Sequence, residues 1–230
     1  MKSKEFVIDE NIVVKVSKRS SSRKLRLTIA TNGEVRVSIP TWMPFKIGVD
    51  FAKSKRSWII EQTPRQKILV SNEAIGKNHH LKFVPTKAGK ISTRLGEIEA
   101  IVFLPNDISF DDHAAQLAAK RVYKKALLSQ SKALLPIRLK QLAKIHAYKY
   151  NEVKIKSLKT RWGSCDTQKN ITLNIFLMTI PWELIDYVLL HELNHTEVMH
   201  HGPKFWDNLD KKLPKSKILR KQLKAYTASI

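Results

Sequence analysis

The chain has 230 residues, 43% of them hydrophobic, and 42 lysines and arginines against 20 aspartates and glutamates, a formal net charge of +22. That length and apolar content provide for one large domain or two small ones with real cores, and exclude a low-complexity chain. The charge excess points to an anionic partner or surface, nucleic acid first, with adaptation for solubility as the plain alternative.

From Val7 to about Leu104 the pattern is mostly strand-like. Ile12–Val16 is a β-branched run, and Leu25–Ile29 and Val35–Ile39 alternate apolar with polar residues. Thr31-Asn32-Gly33 between them carries the Asn-Gly pair of a tight hairpin, and Pro40 closes the second strand. Phe45–Ile60 has apolar residues at helical spacing (Ile47, Phe51, Trp58, Ile59) and predicts one helix. Further strands are expected at His80–Val84, Ile91–Leu95 and Ile98–Leu104. His79 and His80 are adjacent, so their side chains diverge in a strand and do not make a metal pair.

The character changes after Pro105. Phe110-Asp111-Asp112 offers an N-cap for a long amphipathic helix from His113 to about Leu135, and Pro136 suits the first position of a second helix running to about Ala147. Between Lys120 and Arg161 the only acid is Glu152, so the lysines and arginines there form a basic shell around the apolar stripes. Val153–Leu158 predicts a half-buried strand. Thr160–Cys165 follows, then a polar turn at Asp166–Asn170, and Ile171–Leu177 is the return strand, giving a hairpin. Pro181-Trp182-Glu183 then opens a helix, and Gly202-Pro203 marks a stop and restart before short basic helices. The fold class expected is α+β: a β-rich N-terminal region with one helix (1–105), then a compact helical domain with a β-hairpin (106–230).

Cys165 is the only cysteine, so an intrachain disulfide is excluded and a reducing compartment is expected. The start, Met1–Phe6, lacks the apolar core of a signal peptide, and no apolar run nears the ~20 residues of a membrane span. A cytoplasmic chain with no membrane partner is the expectation.

The stretch with chemistry in it is His191-Glu192-Leu193-Asn194-His195. Residues four apart share a helix face, so His191 and His195 can offer ring nitrogens to one metal ion, with Glu192 placed to take a proton from water. This is the H-E-x-x-H spacing of zinc peptidases, and it falls on a stretch independently read as a helix. A third protein ligand is expected downstream. His201 is favoured over His200 and Glu197; on a straight helix it would point away, so the helix is expected to end near Met199 or His200, with Gly202 as a left-handed residue past it. The ion expected is Zn²⁺, with a protein or peptide as substrate. The competing reading is a nucleic-acid-binding protein with a structural or vestigial zinc site, for which Cys165 or His200 would have to complete four protein ligands.

Four pieces of the chain resemble the YgjP-like metallopeptidases, which are related to the SprT-like and WLM zinc peptidases. They are Arg23–Leu27 with Gly33–Pro40 and Ser54–Ile59; Arg161-Trp162-Gly163-Ser164-Cys165; Ile171–Asn174 running to Ile185–Val188; and His191–His195 with His201 and Phe205-Trp206. The resemblance implies a zincin-like C-terminal domain, with His191, His195 and His201 as zinc ligands and Glu192 as catalytic base. It gives Trp162-Gly163-Ser164 the place of a family signature, read here as a tight turn bordering the cleft. SprT-like relatives are associated with cleaving proteins attached to DNA, which agrees with the basic shell.

Overall fold

The computed structural model describes residues 3–9, 12–30, 33–62 and 68–228. Its described residues divide into two compact units, one within residues 3–62 and the other Ile68–Ala228. The class is mixed α and β with a β-rich N-terminal region, as expected.

In the first unit β1 (Ser3–Asp9), β2 (Ile12–Arg19), β3 (Arg26–Ile29) and β4 (Val35–Pro40) form one sheet in the order β1-β2-β4-β3. β3 and β4 are the expected antiparallel hairpin, with Gly33 at φ 80° in the left-handed region. Thr31 and Asn32 lie outside the described residues. β4 runs parallel to β2, with Val14 opposite Val35 and Val16 opposite Val37, so the valines of both strands bury one face. The single helix expected over 45–60 is two, α1 (Phe45–Ser54) and α2 (Arg56–Gln62). Lys55, at φ −105° and ψ 18°, caps the first and breaks the run. Ala52 and Ile59, one from each helix, join the valine core, while Ile47 and Trp58 stay exposed.

The second unit is built on α3 (His113–Ile145), with Asp112 accepting from the Ala114 backbone N–H as its N-cap. Two helices meeting at Pro136 were expected; α3 instead runs through it for 33 residues. The proline removes the donor to the Lys132 carbonyl. Lys132 is exposed to water, whereas Leu135 and Leu139 are fully buried on the other side. Their packing outweighs the local penalty of about 3 kcal/mol.

Strands β5 (Ala74–Ile75), β6 (His79–Thr86), β7 (Ser92–Leu95) and β8 (Glu99–Pro105) form a sheet in the order β5-β6-β8-β7, packed on α3. Two buried glutamines of α3 tie the helix to the chain before it. Gln116 accepts from Leu69 N–H and donates to the Leu69 and Phe110 carbonyls (2.9, 2.9 and 2.7 Å). Gln130 accepts from Lys77 N–H at 2.6 Å and donates to the Ile75 carbonyl at 2.9 Å. These bonds and the shared core place the β5–β8 sheet in the second unit. The expected boundary after residue 105 therefore does not coincide with the observed division at 67/68. His79, buried, has Nδ1 2.9 Å from Gln130 Nε2 and Nε2 3.2 Å from the Gly96 carbonyl, a structural role.

A three-stranded sheet, β10-β11-β9, follows. Its hairpin is β10 (Gly163–Cys165) with β11 (Ile171–Asn174), closed by Asp166, whose Oδ1 accepts from the Gln168 and Asn170 N–H groups at 2.9 Å. β9 (Val153–Lys156) lies on the far side, parallel to β11. The return strand stops at Asn174, short of the expected Leu177, because Asn174 caps a 3₁₀ turn (Ile175–Thr179) through Phe176 N–H. Three helices complete the unit: α4 (Trp182–His195), α5 (Pro203–Lys212) and α6 (Ser216–Leu223). Among the described residues no helix is long and apolar enough to cross a membrane.

Candidate metal centre

α4 starts where Pro181 sets the chain direction and Glu183 sits in the first turn, complementing the helix dipole. Its buried side carries Leu184, Ile185, Val188, Leu189 and Leu193, which dock it on the rest of the unit. That docking fixes the azimuth of His191, Glu192 and His195. The helix stops at His195, with Thr196 as C-cap, four residues before the earlier of the expected ends. Gly202 is not the left-handed residue anticipated: at φ −82° and ψ −177° it is extended and serves as N-cap of α5. The early stop lets residues 196–201 double back, which a continued helix could not do.

The reversal brings His201 to the pair on α4. Its Nε2 lies 3.0 Å from His191 Nε2 and 3.1 Å from His195 Nε2. These three are the metal-competent histidine cluster among the described residues; His200, Glu197 and Cys165 are outside it. Glu197 instead accepts from Asn208 Nδ2 at 2.9 Å and pairs with Lys212. Burial pushes the Cys165 thiol up to about 11, so it is a poor thiolate donor.

Burial, then repulsion from His195, His201 and Arg220, holds the His191 ring down to about 3. Burial likewise lowers His195 and His201. Three neutral rings converging by their Nε2 atoms cannot satisfy one another: His201 Nε2 faces two nitrogens and has at most one proton to give. A cation at the convergence would use all three lone pairs, so the residues present fit a metal ion. The His195 Nδ1 is 3.3 Å from the Val198 carbonyl, the outer contact that orients a ligating ring. His191 Nδ1 is buried with no partner among the described residues, so the rest of the packing must hold that ring.

Phe205 does much of this. It is fully buried, and its ring centroid lies 4.9, 4.6 and 4.8 Å from those of His191, His195 and His201. Trp206 stacks on His201 and donates Nε1–H to the His201 carbonyl at 3.1 Å. Asn194, fully buried between the two α4 histidines in sequence, donates to the Phe205 carbonyl at 2.9 Å and accepts from Tyr148 OH at 2.9 Å and Asn208 Nδ2 at 2.6 Å. It pins α5, and so the aromatic floor, to α4. The sequence alone gave Asn194 no role, and only the aromatic pair just after His201 hinted at such a floor.

Glu192 follows His191 on α4 and lines a cavity with it. It is buried, and burial pushes its carboxyl up to about 8 while Arg161 pulls the other way; a cation nearby would lower it further. Its side chain lies against Gly163, where a Cβ would come within 2.7 Å of Glu192 Oε1 and 2.8 Å of Cγ. Trp162-Gly163-Ser164 is thus not a turn: Gly163 opens strand β10, and its missing side chain is the room Glu192 occupies. Gly163→Ala is expected to destabilise the fold by about 1–3 kcal/mol through this overlap, read as a lower urea midpoint; an unchanged midpoint would mean that the carboxylate swings aside freely. A cavity of about 250 Å³, walled largely by Trp162, Tyr187, Val188 and Leu223, opens onto His191 and Glu192.

The family model described as YgjP-like, metallopeptidase domain, matches residues 23–226. No curated protein matches the chain. Among solved structures it is similar to the metallopeptidase zymogen of Pyrococcus abyssi abylysin, with 24% identity over 40% of this chain and 93% of that one, at a TM-score of 0.37. It is similar also to the zymogen of Methanocaldococcus jannaschii jannalysin, with 24% identity over 39% and 91%, at a TM-score of 0.34.

Proposed function

The chain belongs to the YgjP-like metallopeptidase family, and from that premise we propose that it is a zinc peptidase in which His191, His195 and His201 hold the ion and Glu192 is the general base. The observation that carries this reading is the convergence of three neutral imidazoles beside a buried carboxylate that belongs to none of the ion pairs among the described residues. When bound, zinc supplies Lewis acidity that eases deprotonation of water and polarises a carbonyl. Glu192 accepts the proton of the attacking water on its carboxylate and returns it to the leaving amine nitrogen. Trp162, Tyr187 and Val188 keep bulk water from the carboxylate.

The basic surface supports a finer reading, that substrates are proteins associated with nucleic acid. α3 carries no acid, and Arg121, Lys124, Lys125, Lys132, Lys140 and Lys144 are exposed along it. Such a face binds phosphate without reading sequence. The alternative, a binding protein with a closed structural zinc, is disfavoured because no fourth protein ligand joins the three histidines among the described residues.

The test is metal content by mass spectrometry together with peptidase activity, with and without chelator and with and without DNA. About one zinc per chain is expected, with activity lost on chelation, regained on adding zinc, and raised by DNA in a salt-dependent way. His201→Ala is expected to lose most of its zinc and His200→Ala to keep it. A folded wild-type chain that takes up no divalent metal would sink the reading.

A further inference from the structure

Two guanidinium groups flank the cleft, and among the described residues neither meets a carboxylate in an ion pair. Arg161 immediately precedes β10 and lines the cavity that opens onto Glu192. Its carbonyl is held by Asn174 Nδ2 at 2.8 Å, which fixes the backbone while leaving the side chain uncommitted. Its field reaches the Glu192 carboxyl and opposes the effect of burial there.

The second group is Arg220, which does not itself line the cavity. It lies on α6 three residues before Leu223, which lines the same cavity, so the two share a helix face. Its guanidinium sits 4.2 Å from the Trp206 ring centroid, and Trp206 in turn stacks on His201. Stacking on Trp206 pre-orders the planar fork, so less freedom is lost when it binds an anion. No acid follows Asp210 in the sequence, and Lys221 and Lys224 lie next to Arg220 on or just past α6. The one acid lining the cavity is the proposed base, Glu192. A planar carboxylate on a substrate suits a guanidinium bidentately.

We propose that Arg161 and Arg220 form a carboxylate-reading subsite beside the scissile bond, making the chain selective for acidic peptides; this rests on the peptidase reading above. The carboxylate could belong to an aspartate or glutamate side chain or to a peptide C-terminus, and peptide design separates the two.

The test uses fluorescent peptides in matched sets: Glu against Gln next to the cleaved bond, each with a free or amidated C-terminus. Binding to the full chain is followed by anisotropy, and kcat and KM are measured on the zinc-loaded protein. Glu peptides are expected to bind on the order of tenfold to a hundredfold more tightly than Gln peptides. That ratio should fall towards one in Arg161→Gln and Arg220→Gln and partly recover in the lysine variants. A Glu-over-Gln preference that survives amidation assigns the side chain; a preference for the free over the amidated terminus, alike in Glu and Gln peptides, assigns the C-terminus. Equal binding of all four peptides to the wild type overturns the subsite, as does a preference that the arginine variants leave unchanged. So does a single-stranded oligonucleotide whose binding drops in those variants while peptide discrimination persists, since the pair would then serve nucleic acid. Cleavage with no discrimination for either carboxylate would remove the subsite and leave the peptidase standing; discrimination in binding without cleavage would do the reverse.

Discussion

Glu192→Gln is expected to lower peptidase turnover by roughly 10²- to 10⁴-fold, the usual range for removing a general base, while leaving zinc content at the wild-type level. The amide has the shape of the carboxylate, so it can occupy the same space against Gly163. What it loses is the ability to accept a proton. No other acid lines the cavity, so no neighbour can take over. Glu192 also lies outside the histidine cluster, which separates its loss from loss of the ion. Metal analysis and single-turnover cleavage on the same preparation check both halves. Retained turnover would remove Glu192 as base, and lost zinc would recast it as a ligand or a structural support.

Phe205→Ala carries the largest expected stability effect. The ring is wholly buried and touches all three imidazoles. Truncating a buried phenylalanine costs about 3–5 kcal/mol, part of it from the cavity left behind. Here the void would lie directly under the rings, so zinc affinity should fall about tenfold or more as well, as when an outer support of a metal site is removed. Urea unfolding of the metal-free variant and a competitive zinc titration measure the two effects. Phe205→Leu should recover much of the stability but not the aromatic contacts. A stability change under about 1 kcal/mol would show that neighbouring groups collapse into the space.

The elements around the centre were legible because their signals are local. The His191–His195 spacing lies on a continuous apolar stripe, the Asp166–Asn170 turn is polar between alternating strands, and Gly202-Pro203 punctuates the chain. What the sequence misplaced was decided at a distance. Pro136 reads as a helix start, yet the burial of Leu135 and Leu139 carries α3 through it. The change of character after Pro105 reads as a boundary, yet Gln116 and Gln130 bond backward to residues some fifty positions earlier. β9 was read into the hairpin region with no means of telling that it pairs parallel to β11. The end of α4 was misjudged for a similar reason. Thr196 bonds its hydroxyl to the Leu193 carbonyl and Asn194 reaches across to α5, contacts that spacing alone does not announce. Gly163 is the clearest case: only the position of Glu192 reveals that a Cβ there would overlap another side chain.

The early stop of α4 has a thermodynamic consequence. Two of the three rings sit on one helix, but the third is delivered by the reversal at 196–201, and the ring beneath all of them comes from α5. A chain whose last thirty or so residues are undocked therefore presents two histidines and an acid, an unfinished site. Docking of the C-terminal helices and completion of the triad are one cooperative event, so whatever favours either must favour the other by the same free energy. Zinc should slow exchange of the α5 amides with solvent, and a destabilised C-terminal helix should appear first as weakened metal uptake, before any loss of the α3 core.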